Sequence, residues 1–312
     1  MKGRAGAPQA QPALLRARIV AAFGRNFLAD AGGAGPLPCV ARGKRSEVVC
    51  GDWVLLRPGD PATIESVLER RNTLWREDAW RSKVFAANLD LLLVVTAAEP
   101  TPNLELVGRA LIAASAEDIE AVVLVNKSEL PATAALLARL RPLADCGYRL
   151  LQLCARGQPA QAVELLRPWL SGRVAMLLGA SGVGKSTLAN ALIPGLQART
   201  GELSQALDAG RHTTTTTRLW PLPDLPAGSC LLDSPGFQAF GLNHLSVSQL
   251  QHAMPEVAAR NGRCRFHNCS HRGEPGCAVR QAVEAGAIDR ERYALYLRVL
   301  QELLQASGHP TA

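Results

Sequence analysis

The run Gly179-Ala180-Ser181-Gly182-Val183-Gly184-Lys185-Ser186-Thr187 reads G-x-x-x-x-G-K-S, and residues of these types at this spacing bind phosphate. Glycines let successive backbone N–H groups turn toward phosphate oxygens, and the start of a helix adds partial positive charge. Lys185 is placed to reach the β and γ phosphates, and Ser186 to give its hydroxyl to a magnesium ion. The pattern carries this meaning only between a strand and a helix. An apolar run, Val174 to Leu178, precedes it and a helix-like run, Thr187 to Ile193, follows it. A glycine-rich turn that binds nothing does not account for all of these features in register.

Other segments narrow the nucleotide. Leu231-Leu232-Asp233-Ser234-Pro235-Gly236 is an apolar strand ending in D-x-x-G. Asp233 there can hold the magnesium shell and the Gly236 N–H can meet the γ-phosphate. Between the two lies Gly210-Arg211-His212 and five threonines, 213–217. These residues suit an edge strand, since threonine favours extended backbone. They also suit a switch segment in which one threonine, taken as Thr214, completes the magnesium shell. Upstream, the apolar run 122–125 leads into Asn126-Lys127-Ser128-Glu129, close to the guanine-reading pattern Asn-Lys-x-Asp. Asn126 is expected to bond the base edge and the Lys127 stem to lie along the ring. The carboxylate is expected to accept from the ring N–H and amino group, a donor pair that adenine lacks. Here that carboxylate belongs to Glu129, one methylene longer than aspartate. After another strand-like run, 148–153, Cys154-Ala155 sits where a Ser-Ala loop closes over guanine, with the Ala155 N–H expected on the base oxygen.

The order is therefore base-reading motif, base-closing loop, phosphate loop, threonine switch and D-x-x-G. Ordinary small GTPases begin with the phosphate loop, so this arrangement is a circular permutation, which a doubly wound sheet tolerates because its termini lie close together. One mechanical consequence is that the chain passes straight from the D-x-x-G switch into the C-terminal region.

A second cluster offers different chemistry. Cys264, Cys269, His271 and Cys277 form a C-x4-C-x-H-x5-C array, three thiols and an imidazole of the kind that holds tetrahedral zinc. Four protein ligands leave no place for water, so the site is expected to be structural. His267 is an alternative fourth ligand, made less suitable by its place inside the C-x4-C loop. Plain reduced cysteines in a polar loop are the competing explanation.

These groups must be positioned by folded elements, and 312 residues supply enough chain for two or three domains. Residues 1–12, rich in Ala, Gly, Pro and Gln, are expected to be a disordered tail. Residues 13–70 are expected to form an OB-type β-barrel, with strands at Arg16–Ala21, Cys39–Arg42, Glu47–Cys50 and Trp53–Leu56 around a basic turn, Gly43-Lys44-Arg45-Ser46. Arg42, Lys44 and Arg45 make that barrel a candidate RNA surface. Residues 71–85 are expected to be a linker, whose Trp75 and Trp80 suit an internal interface better than an RNA clamp. Alternating strand and helix signals over 86–241 indicate an α/β domain, and 242–312 a mainly helical metal-binding domain ending in an amphipathic helix over 288–305. Net charge +7 favours an anionic partner such as nucleic acid. No apolar run approaches the ~20 residues of a membrane span. A cytoplasmic monomer without disulfides and with no membrane partner is expected.

With both motifs in hand, the chain resembles the circularly permuted bacterial GTPases called ribosome small subunit-dependent GTPase A. The resemblance covers nearly the whole chain, and its most specific part is the phosphate loop combined with the Cys/His array. It implies an OB barrel, a permuted GTPase domain and a zinc domain with one structural zinc, and GTP held with magnesium. It also implies binding to the small ribosomal subunit and its rRNA, late in that particle's maturation, with hydrolysis of GTP to GDP stimulated there. Glu129 in place of Asp, and Asn268 in place of the usual Asp beside the metal array, are departures from the family pattern. Many GTPases place glutamine after D-x-x-G to orient the attacking water, but here the residue is Phe237. His212 is the expected substitute, acting with Lys185. The rival readings are a nucleotide-gated RNA-binding module with incidental hydrolysis, and an ATP-dependent phosphate-loop enzyme. The latter leaves Asn126, Lys127 and Asp233 without a role.

Overall fold

The computed structural model describes residues 13–33, 35–42, 47–78, 81–196, 217–233 and 242–306, with backbone alone at 76–78, 81, 82 and 233. Strand β1 (Leu15–Phe23) alternates, burying Ala17, Ile19 and Ala21 on one face. It begins a five-strand barrel with β2 (Asn26–Asp30), β3 (Leu37–Ala41), β4 (Trp53–Arg57) and β5 (Ala62–Val67). The order is β1-β2-β3-β5-β4, and β4 closes back on β1 with Leu15 opposite Leu56 and Arg18 opposite Trp53. The interior of so narrow a barrel is filled by small and medium side chains, Ala17, Ala29 and Ala62 between Ile19, Phe27, Val54, Leu56 and Ile64.

One expected strand is absent. Glu47–Val49 is irregular because the buried Asp52 carboxylate captures the Val49 N–H at 2.8 Å and Arg70 through both oxygens, at 2.7 and 2.9 Å. Cys50 pairs only as an isolated bridge, with Ala86. The stretch expected to link barrel and α/β unit forms a two-stranded hairpin, β6 (Thr73–Asp78) and β7 (Arg81–Ala87). Its base is fastened by two buried asparagines. Asn72 exchanges hydrogen bonds with the Leu89 backbone at 2.8 and 2.9 Å, and Asn88 donates to the Gly51 carbonyl at 3.0 Å. Trp75 stacks on His244 with ring centroids 4.9 Å apart, a contact within the chain.

The second half of the sheet runs β10 (Arg149–Gln152), β9 (Glu120–Asn126), β8 (Leu91–Ala97), β11 (Val174–Leu178), β13 (Cys230–Asp233), β12 (Thr217–Pro221). All are parallel except β12. Every residue of β8 is buried, as a parallel strand covered on both faces must be. Leu91, Leu93 and Val95 face α3 (Pro159–Leu170) and α4 (Lys185–Leu192). Leu92 and Val94 face the layer containing α1 (Leu104–Ala116) and α2 (Thr133–Asp145). β12 also pairs with β1, Ala21 opposite Arg218, so barrel and α/β unit share one 11-stranded sheet.

The C-terminal region adds α5 (Val247–Ala253), α6 (Pro255–Ala258), α7 (Ala278–Glu284) and α8 (Arg290–Ala306). Leu295, Tyr296, Val299, Leu300 and Leu303 of α8 recur at helical spacing and join the same apolar cluster as α1 and α2. At its edge Arg109 of α1 meets Glu302 of α8 at 2.8 Å. Deeper, Arg292 pairs with Glu256 at 2.7 Å with 8% and 5% of their side chains exposed. Among the described residues no helix is long and apolar enough to cross a membrane.

Candidate functional site

The phosphate loop links the end of β11 to the start of α4. Gly184, at φ +98°, occupies left-handed backbone that a side chain resists, and a Cβ there would collide with Asn126 Nδ2. A Cβ on Gly179 would collide with the Val95 carbonyl of β8. Gly184 and Gly179 are therefore required by close approach as well as by conformation. The Lys185 ammonium folds over the loop, donating to the Gly179 and Ala180 carbonyls at 2.7 and 2.6 Å. Ser181, Gly182, Ser186 and Thr187 are exposed on the loop rim, while Val183 is buried beneath it.

Asn126 and Lys127 stand where β9 leaves the same sheet edge. Asn126 is 2% exposed. Its amide donates to the Val183 carbonyl at 2.8 Å and accepts from the Ala155 N–H at 3.0 Å. Each of these bonds uses one of the amide's two N–H groups and one of its two oxygen lone pairs, so the second of each remains for the base edge at which Asn126 is expected. A buried amide between two loops must satisfy both of its ends, and here it staples the phosphate loop to the base-closing loop. Lys127 holds φ +58°, uncommon for a side-chain-bearing residue, and its ammonium donates to the Glu99 carbonyl at 2.9 Å. Ser128, Glu129, Cys154, Arg156, Gly157 and Gln158 line an open cleft beside this staple. The Cys154 thiol, with help from a backbone N–H, holds the Glu129 carboxyl below its ordinary range, so it stays charged.

His212, Thr214, Gly236 and Phe237 lie outside the described residues, as do Lys44, Arg45 and Trp80. Asp233 ends β13, next to β11 in the sheet.

The second site is a loop between α6 and α7. Cys264, Cys269, His271 and Cys277 bring one donor atom each to within 4.8 Å of one another. His271 Nδ1 lies 3.5 Å from both the Cys264 and the Cys277 sulfurs. His267 is not in the group. Burial pushes the Cys269 thiol up to about 12 and lowers His271, so each prefers to be neutral. A divalent cation is the agent that would draw the protons from such a set, and four donors leave it closed to water, which fits a structural metal. His271 itself adopts φ +62°. Sequence spacing did not reveal what holds this loop. Tyr293 and Tyr296 of α8 donate to the His271 and Ser270 carbonyls at 2.6 and 2.8 Å, and Gln251 of α5 to the Cys269 carbonyl at 3.0 Å. The Glu99 and Val183 carbonyls were equally invisible, since a main-chain acceptor leaves no mark on residue type.

The model of a family described as RsgA GTPase matches residues 67–243. A protein of Bordetella pertussis named small ribosomal subunit biogenesis GTPase RsgA is 50% identical over 287 residues, 91% of this chain and 95% of that one. Its namesake in Paraburkholderia xenovorans is 46% identical over 314 residues, 98% and 99% of the two chains. Among solved structures, YjeQ from Thermotoga maritima superposes with a TM-score of 0.72 at 27% identity, covering 93% of this chain and 99% of its own. YloQ, described as a circularly permuted GTPase, gives 0.70 at 22% identity over 98% and 100%, a likeness of fold.

Proposed function

Because the chain belongs to the RsgA GTPase family, we propose that it hydrolyses GTP to GDP and phosphate in late maturation of the small ribosomal subunit, whose rRNA it binds and which stimulates it. The observation that carries this reading is the staple at Asn126. It ties the phosphate loop to the cleft that carries Glu129, so one nucleotide can occupy both. The exposed backbone and Lys185 hold the phosphates, and Glu129 accepts from the guanine edge. Ser186, Thr214 and Asp233 would hold magnesium, which neutralises charge on the phosphates. His212 orients the attacking water in place of the glutamine that Phe237 displaces. Cys264, Cys269, His271 and Cys277 hold one structural zinc. The protein works in the cytoplasm, where immature ribosomal particles are found.

Turnover of GTP with and without purified small ribosomal subunits tests this. A slow intrinsic rate should rise by roughly 10³–10⁵, the scale on which a supplied catalytic group accelerates GTPases. A rate indifferent to the subunit, or one supported equally by ATP, overturns it.

A further inference from the structure

We propose that Glu129 and Cys154 form a matched pair that sets guanine selectivity, the thiol holding the longer carboxylate at the depth where the base is read. The inference rests on the reading of the lined cleft as the guanine site. β9 and β10 are adjacent parallel strands with Val125 opposite Gln152, so the loops bearing the two residues leave the same sheet edge in the same direction. They are stitched together on either side of Cys154. Ser128 N–H donates to the Leu153 carbonyl at 3.2 Å, and Ala155 N–H to Asn126 Oδ1 at 3.0 Å. Between these stitches Cys154 is 7% exposed, and its sulfur accepts from the Gly157 N–H at 3.2 Å. A Cβ at Gly157 would approach that sulfur to 2.9 Å, so the turn closes tightly over it. With the sulfur lone pair engaged by Gly157, the S–H is left for the carboxylate that shares the cleft with it. The depressed carboxyl of Glu129 is consistent with such a donor.

The two departures from the Asp and Ser pattern compensate each other in length. An added methylene carries the carboxylate about 1.3 Å further from the sheet edge. A C–S bond with an S–H···O hydrogen bond reaches about 1 Å further than a C–O bond with an O–H···O hydrogen bond. Because both side chains project from the same edge, a longer acceptor needs a longer-reaching donor. Glu with Cys meets that condition, as Asp with Ser does, and the mixed pairs do not.

The test uses the full-length chain and the variants Glu129→Asp, Cys154→Ser, the double substitution and Glu129→Ala, with GDP and ADP affinities measured by displacement of a fluorescent guanine nucleotide. Metal content and the thermal transition are compared across variants to confirm that all are folded. Each conservative single substitution should weaken GDP about tenfold, as loss of a hydrogen bond to a charged group does, while the double returns to within about threefold of the parent. ADP binding should not move. Singles without effect, or a double that loses the product of the two, overturn the pairing. If Glu129→Ala leaves the preference for GDP over ADP unchanged, the guanine site itself is wrong and the pairing falls with it. If Glu129→Ala abolishes the preference while the singles are additive, the pairing alone is wrong.

Discussion

The nucleotide site and the Cys/His loop are built in opposite ways. The phosphate loop and the Asn126 staple sit at the ends of β11 and β9, where the strand residues are buried, and the chain's own hydrogen bonds tie them together. The Cys/His loop stands between helices of four and seven residues and brings together three thiols and an imidazole, of which burial keeps the Cys269 thiol protonated. One site is positioned by a core; the other is held by two tyrosine hydroxyls from α8 and would be completed by a cation. The lesson is that ligand loss should cost function at the first site and structure at the second.

Removal of the metal is the severest test of that contrast. Structural zinc contributes about 10–16 kcal/mol to small domains. Chelation should therefore release amide protection across the Cys/His loop and α7, 264–284, while α8 and the strands around the phosphate loop stay protected in hydrogen exchange. Purified protein free of zinc and indifferent to chelator would break the comparison. Next in size, Glu256→Ala should cost about 3–5 kcal/mol, because Arg292 is left buried without its partner. Its denaturation midpoint should fall in one transition, since α8 shares its core with α1 and α2. Separate transitions for the two regions would show the lobe to be independent. Lys185→Ala should lower GTP turnover by about 10²–10³, the range for loss of one charge-stabilising donor, with the thermal midpoint nearly unmoved. A large loss of stability would place Lys185 among structural residues instead.

The smallest effect concerns Glu274. Burial raises its carboxyl, but hydrogen bonds from the Ser270 hydroxyl and the Gly273 and Ser270 N–H groups outweigh that and carry it down to about 2. A carboxyl depressed on folding stabilises above its unfolded value of 4.5, and that stabilisation is lost as pH falls toward about 2. Glu274→Gln should cost about 1 kcal/mol at pH 7, allowing for solvent screening. The gap from the parent in urea titrations should close between pH 4.5 and 2.

Two of the side-chain-bearing residues held at positive φ among those described are Lys127 and His271, one at each site. Residue type had marked both positions, but not their backbone. Motif spacing also identified the phosphate loop, the Asn126–Glu129 segment, Cys154 and the Cys/His array, because phosphate and metal binding demand particular residues at short separations. The alternation of β1 and the apolar run of β8 were legible for the same local reason. The hairpin at 73–87 was not, because its footing depends on Asn72 and Asn88 meeting partners across the barrel boundary. Nor was the irregular stretch at 47–49, where Asp52 competes for the backbone.

By itself the sequence determined the chemistry available: a glycine-rich loop suited to phosphate, a carboxylate in an Asn-Lys-x-acid segment, and three thiols with an imidazole suited to a metal. Only the tertiary structure decided that Asn126 braces the phosphate loop against the loop at Ala155, that barrel and α/β unit share a sheet, and that Glu129 lines a cleft with Cys154. Local patterns report what a residue type can do, whereas hydrogen bonds between main-chain atoms and side chains far apart in the chain are chosen when burial forces every polar group to find a partner.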